Sequence, residues 1–290
     1  MSVRSNENRL GVGPGLLEEK VNEATTAIPD ASSLKFVTPT EFVELPSRGR
    51  FYSEDHPLYG QNVVEMKHMT AREEDILTSV ALLKKGLALD RLLESLLVDK
   101  RIKVDNLLLG DKNAMIVSAR ACGYGTEYET AINCPSCSET QKYSFNLDSL
   151  KINFPTDAEV AEHNVKNTAE GTFLIALPKT EYVVEVQLLL ARDEKKIAAA
   201  RDYKKKKNFP ETTITDFLRL IIVSVNGVTD MTSLSDFVTT LPAIHARYLR
   251  RVYDKLVPAL DMHHPFVCAN CDHEGTMEVP LGPDFFWPNA

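Results

Sequence analysis

Several common signatures are missing from this chain of 290 residues. No apolar run approaches the length needed to span a bilayer, and the first twenty residues, MSVRSNENRLGVGPGLLEEK, lack the continuous apolar stretch of a secretory signal. These absences predict a protein of a reducing cytoplasm, without a membrane span. There is no G-x-S-x-G elbow, no H-E-x-x-H pair and no complete phosphate loop. Gly11, Gly13 and Gly15 imitate a phosphate loop only in spacing, since Pro14 interrupts them and no strand pattern precedes them. His56, His68, His163 and His245 have no partners at a diagnostic spacing, so the sequence does not read as an enzyme. A positive balance is also lacking: the net charge of −8 argues against nucleic-acid binding through the whole surface.

Cysteine is scarce, yet four of the five stand in two pairs, Cys134-Pro-Ser-Cys137 and Cys268-Ala-Asn-Cys271. Thiolates separated by two residues fit one tight turn, and four of them make the closed tetrahedral site that structural zinc prefers. Redox C-x-x-C motifs open a helix after a strand, whereas alternating strand patterns follow both of these pairs. A zinc ribbon usually places roughly 15 to 20 residues between its pairs; here 130 intervene. An internal repeat accounts for the gap. Aligned on the first cysteine of each pair, Ile132 matches Phe266, Tyr143 matches Met277, Phe145 matches Val279 and Leu147 matches Leu281. Each half reads as strand, knuckle, strand. His263, His264 and His273 lie near the second pair only, so the simplest ligand set is the four cysteines, holding one structural Zn²⁺ in a ribbon split by an insertion. Cys122 reads as a small buried hydrophobe on a helix.

The remaining chain has the 43% hydrophobic content of an ordinary globular protein, so it can build a sizeable core. The predicted class is α+β: an N-terminal helical region, the split ribbon, and an inserted subdomain of a hairpin and helices. Residues 1–41 read as a flexible arm. Residues 42–126 hold an extended segment, punctuated by Pro46, Gly49, Pro57 and Gly60, and then three helices. The first starts at the capping box Thr70-Ala-Arg-Glu73, carries Ile76, Leu77, Val80 and Leu83 on one face and stops at Gly86. The second carries Leu89, Leu92, Leu93, Leu96 and Leu97; Asp111 caps the third. The ribbon occupies 127–149 and 262–290, and the insertion 150–261. In the insertion, Thr172–Leu177 and Tyr182–Leu188 form a hairpin around Pro178-Lys179-Thr180, and a polar helix covers about Arg192 to Lys206. A helix through Ile214, Phe217, Leu218, Ile221, Ile222 and Val225 stops at Gly227. A cap at Ser233 to Asp236 follows, and a last helix presents Ile244, Tyr248, Leu249, Val252 and Leu256.

The runs LPSRGRFYSEDHPLYG, VVEMKHMTAREEDILTS and GDKNAMIVSARACGYG, with the first CPSC, resemble the baseplate proteins of T-even-type contractile-tailed phages, in particular the baseplate hub assembly family. The resemblance is densest over residues 42–137 and returns in the ending FVCANC to FFWP. It implies a late phage protein that assembles the baseplate hub and tail in the host cytoplasm, through contacts with other hub or tail proteins and with no catalytic site. A permanent subunit of the virion baseplate is the alternative. A remoter one is a zinc-ribbon nucleic-acid binder using Tyr203 and Lys204 to Lys207. No small-molecule substrate is expected. The consecutive Phe285, Phe286 and Trp287, flanked by Pro283 and Pro288, cannot all face one side of a regular element. Such a tail either folds back over the chain's own core or is offered to a partner; in the second case the partner contact is expected to use Phe285, Phe286 and Trp287, together with Phe42, Phe51, Tyr52 and Tyr59 of the extended segment, and the tail is expected to be dispensable for folding.

Overall fold

Alternation decides the first strands. The computed structural model describes residues 38–156, 160, 165–168, 170–207, 209–210, 212–281 and 285–286. Strand β1 (Thr40–Glu44) pairs antiparallel with β2 (Val63–Lys67), which turns Val43, Val64 and Met66 into the core and leaves Phe42 70% exposed. The proposed arm, 1–41, lies almost entirely outside the described residues.

Between β1 and β2 the chain is not extended. It coils through successive turns, with Arg48 N–H donating to the Leu45 carbonyl and Gly60 N–H to that of Gly49. Gly49 has φ +68°, and a Cβ there would lie 2.4 Å from the Gln61 nitrogen. The coil folds around a buried carboxylate that belongs to a helix: Asp111 accepts from the Ser47 amide at 2.9 Å, the Ser47 hydroxyl at 2.6 Å and the Tyr52 hydroxyl at 2.7 Å. Tyr52 in turn accepts from the Leu108 amide. Asp111 thus sits inside its helix, with Leu108 at the cap position, because its side chain is committed to the coil. Burial pushes its pKa up, while the donors from Ser47 and Tyr52 pull the other way. Asp111→Ala would strand three buried donors. We expect it to lower stability by about 3–5 kcal/mol, the cost of breaking a buried charged network on one side, read by denaturant unfolding; a change under about 1 kcal/mol would show that the coil does not depend on this network.

The first expected helix is two. Helix α1 (Ala71–Thr78) begins at Thr70, whose amide donates to the Glu73 carboxylate at 3.0 Å, and Glu73 also accepts from Ser95 at 2.6 Å. The chain then turns extended at Ser79 before α2 (Val80–Lys84), and Val80 is exposed. Thr78, Ser79 and Val80 are weak helix formers in succession, and the Thr78 hydroxyl bonds back to the Glu74 carbonyl. Helix α3 (Ala88–Leu96) buries Leu92, Leu93 and Leu96.

Helix α4 (Leu109–Tyr124) is packed against α3, β1 and the short strand β10 (Ala259–Leu260). Gly110 permits the last contact, since a Cβ there would stand 2.0 Å from the Pro258 carbonyl oxygen. Lys112 of α4, nearly fully buried, pairs with Asp90 of α3 at 3.0 Å and with Glu194 at 2.8 Å, and Lys195 reaches Asp90 at 2.7 Å. Glu194 and Lys195 lie on α5 (Ala191–Lys206), so charge couples three helices far apart in sequence.

In the insertion, β7 (Phe173–Ala176) and β8 (Val183–Val186) form the expected hairpin, with Lys179 at φ 59° in its turn. They are the middle of the sheet β6-β7-β8-β9, whose edges are β6 (Val165–Asn167) and β9 (Ile222–Val225). Strand β9 corrects the sequence reading. Helix α6 (Thr213–Ile221) ends before Ile222, and the β-branched run Ile222–Val225 pairs with β8, Val225 opposite Val184. Helix α7 (Met231–Thr240) is capped by Asp230, which accepts from the Ser233 amide at 2.9 Å, rather than from within Ser233–Asp236. Helix α8 (Ala243–Leu256) buries Leu249, Val252 and Leu256 but exposes Ile244. Strand β5 (Ile152–Asn153) pairs with β10 where the chain enters and leaves the insertion. The fold is thus α+β, with eight α-helices among the described residues, small antiparallel sheets and a core that runs continuously from Val43 to Phe286. No helix among the described residues is long and apolar enough to cross a membrane.

The aromatic tail folds inward. Phe285 and Phe286 are almost completely buried; Phe285 stands edge-on to Tyr128 at 4.8 Å and Phe286 edge-on to Tyr124 at 6.2 Å. Arg120 of α4, also buried, donates from Nε to the Phe285 carbonyl at 2.9 Å and to the carbonyls of Gly125 and Glu127. These two phenylalanines are therefore committed to the chain's own core, and Trp287 lies outside the described residues.

Candidate metal centre

Two hairpins carry the cysteine pairs. Strand β3 (Glu127–Asn133) pairs with β4 (Thr140–Asn146), and β11 (His263–Val267) with β12 (Glu274–Glu278). Their tips repeat atom for atom. Cys134 N–H donates to the Glu139 carbonyl at 2.9 Å, as Cys268 N–H donates to that of His273 at 3.0 Å. Ser138 N–H returns to the Cys134 carbonyl at 2.9 Å, as Asp272 N–H does to Cys268 at 3.0 Å. Ser138 and Asp272 both take a left-handed conformation, at φ 60° and 53°, which closes each turn. The amides of Ser136 and Asn270 point at the first sulfur of their own pair, each at 3.4 Å. Such N–H groups suit a thiolate.

The hairpins meet tip to tip. Cys134 Sγ lies 3.8 Å from Cys271 Sγ, and Cys137 Sγ lies 3.7 Å from Cys268 Sγ. All four sulfurs fall within 4.8 Å of one another. A tetrahedron with metal–sulfur bonds of about 2.3 Å has edges of about 3.8 Å, so the four thiols form a possible site for one metal ion. Cys134 and Cys268 are buried and Cys137 and Cys271 face solvent. The electrostatics match: a backbone amide at Glu139 leads the interactions that lower the Cys137 thiol to about 6. Cys271 receives the equivalent amide from His273, yet local desolvation at the cluster and the other three thiols push it up to about 12. One thiolate opposes the next, which is what a bound cation would relieve.

Below the tips, aromatic residues fill the gap between hairpins. Tyr143 stands edge-on to Phe266 at 5.6 Å, and its hydroxyl reaches His264 Nδ1 at 3.1 Å and bonds the Pro265 carbonyl. His264 is thereby held away from the sulfurs, and His263 is occupied by Asp261 at 2.9 Å. Across the tips, the Ala269 amide donates to Gln141 Oε1 at 3.0 Å. The matched positions Ile132 and Phe266, and likewise Phe145 and Val279, all point inward and are buried.

The residues expected at a partner contact are dispersed in environment. Phe42 and Tyr59 are exposed, Phe51 is half-buried against Phe173 at 5.3 Å, and Tyr52, Phe285 and Phe286 are buried. Burial of Tyr52 follows from its bond to Asp111, and that of the two phenylalanines from their packing on Tyr124 and Tyr128. Of the residues that organise these segments, Asp111 carried only the signal of a helix cap, and Arg120 none beyond its charge inside an apolar helix pattern.

A family model described as T4 bacteriophage base plate protein matches residues 39–287. No curated protein and no solved structure matches the chain.

Proposed function

The chain belongs to the T4 bacteriophage base plate protein family, and from that membership we propose that it is an assembly factor for the baseplate hub and tail. It acts by contact with other phage proteins, in the host cytoplasm, rather than by catalysis. The observation that carries this reading is the four-cysteine cluster. A closed four-thiolate site leaves no coordination position for a reacting water, so its use is structural, and zinc is the ion that such a soft tetrahedral set favours. One Zn²⁺ held by Cys134, Cys137, Cys268 and Cys271 would tie together the two hairpins that flank the insertion, 150–261, adding a fixed point to the buried ion pairs that already join the insertion to the N-terminal helices.

Within this proposal the partner surface falls to Phe42 and Tyr59, the exposed aromatic residues of the first hairpin and its coil. The nucleic-acid alternative is weakened at the basic run, where Lys204 already pairs with Asp216, and by the net charge of −8. Fractionation of phage-infected cells tests the role. An assembly factor is expected in hub intermediates and depleted from finished particles, and Phe42→Asp should reduce its co-purification with hub proteins at least tenfold, as loss of a central aromatic anchor does. Stoichiometric recovery in mature particles would instead identify a permanent baseplate subunit.

A further inference from the structure

We infer that the chain carries a second metal site, for a zinc-class divalent ion, formed by Glu41, His68 and Cys122 and separate from the four-cysteine cluster. A carboxylate oxygen, an imidazole nitrogen and a thiol sulfur from these residues all lie within 4.8 Å of one another. Three separate elements bring them together. Glu41 of β1 stands opposite Met66 of β2, and His68, two residues beyond Met66, returns to the same face of that hairpin. Helix α4 packs on β1 and presents Ser118 and Cys122, one turn apart, toward it. The Ser118 hydroxyl donates to Glu41 Oε1 at 3.0 Å and so orients the carboxylate.

The donor set selects the ion. Thiolate and imidazole together suit zinc-class metals, whereas calcium and magnesium take oxygen ligands. All three residues are partly exposed, so an ion can enter, and three protein ligands leave a coordination position for water or for a group offered by a partner. This site is chemically distinct from the closed four-sulfur set: open, mixed in donors and built on the hairpin that also exposes Phe42. It does not depend on the assembly reading.

Titration of the full-length chain, already carrying its first ion, with zinc while uptake is followed by calorimetry tests this inference. Uptake of about one further ion per chain is expected, abolished in both Cys122→Ala and His68→Ala. Ser118→Ala, which frees the carboxylate without removing a ligand, should weaken the second ion about tenfold. Retention of the first ion reports that each variant is folded, and Glu41→Gln, which keeps the shape and the Ser118 contact, gives the same reading should Cys122→Ala not fold. Absence of further uptake by the unsubstituted chain, or uptake unchanged in these variants, would overturn the assignment.

Discussion

Cys268→Ser should cost the protein its bound ion and loosen both cysteine hairpins together, although they lie more than a hundred residues apart. Cys268 is the buried member of its pair, contacts Cys137 across the cluster at 3.7 Å and receives the Asn270 amide. Two-stranded hairpins are marginal on their own in water, and structural zinc supplies apparent binding energies of about 10–16 kcal/mol in small finger peptides, energy that becomes folding energy. The loss should be local at first. Helices α3 to α8 are tied by the buried charges around Lys112 and by apolar contacts with α4 through side chains such as Leu92, Leu93, Ile116, Leu249 and Val252, which are not ligands of the cluster. In the Cys122→Ala background, metal content should therefore fall to near zero, and protease cleavage should appear at both knuckles while most helical circular dichroism survives. Loss of all helical signal would mean that the insertion has no stability without the metal; unchanged protease resistance would mean that the metal does not hold the hairpins.

Truncation after Leu281 should be more damaging to the fold, against the expectation from the sequence that an offered tail is dispensable. The deletion removes Phe285 and Phe286, and emptying a buried phenylalanine site costs about 3–5 kcal/mol. It also takes the Phe285 carbonyl from Arg120, leaving a buried guanidinium short of an acceptor. Because whole domains are stable by only about 5–15 kcal/mol, the truncated chain should be recovered largely unfolded or with a melting temperature lowered by more than 10 °C. Near-identical melting of the truncated and full chains would return the tail to the surface. Arg120→Ala in the full chain separates the two contributions, since it should reproduce only part of the loss.

The repeated knuckles were legible because metal ligation imposes a local grammar. C-x-x-C with strand alternation on both sides identifies Cys134 and Cys268 as equivalents whatever the chain does between them, and the hydrogen bonds of the two turns agree position by position. The β7–β8 hairpin was legible for the same reason, a local turn between an apolar run and a valine-rich one. What failed was non-local. Ile222 to Val225 continues a helical spacing as well as it makes a strand, and only the open edge of β8 decides between them. Asp111 at the start of a helix reads as a cap until the Ser47–Tyr52 coil is seen wrapped on it. Phe285 and Phe286 read as an offered surface because nothing in their neighbourhood announces Tyr128 or Arg120, more than a hundred residues earlier. Glu41, His68 and Cys122 lack any motif; strand register and helix packing alone bring them together.

One ion should join four sulfurs contributed by two distant segments of a single chain. X-ray absorption at the zinc edge, recorded on the Cys122→Ala chain so that only the four-cysteine site is filled, reads the ligand shell itself. The expected result is about one zinc per chain surrounded by four sulfurs at about 2.3 Å. A shell containing nitrogen or oxygen, or a folded chain carrying no metal, would contradict it.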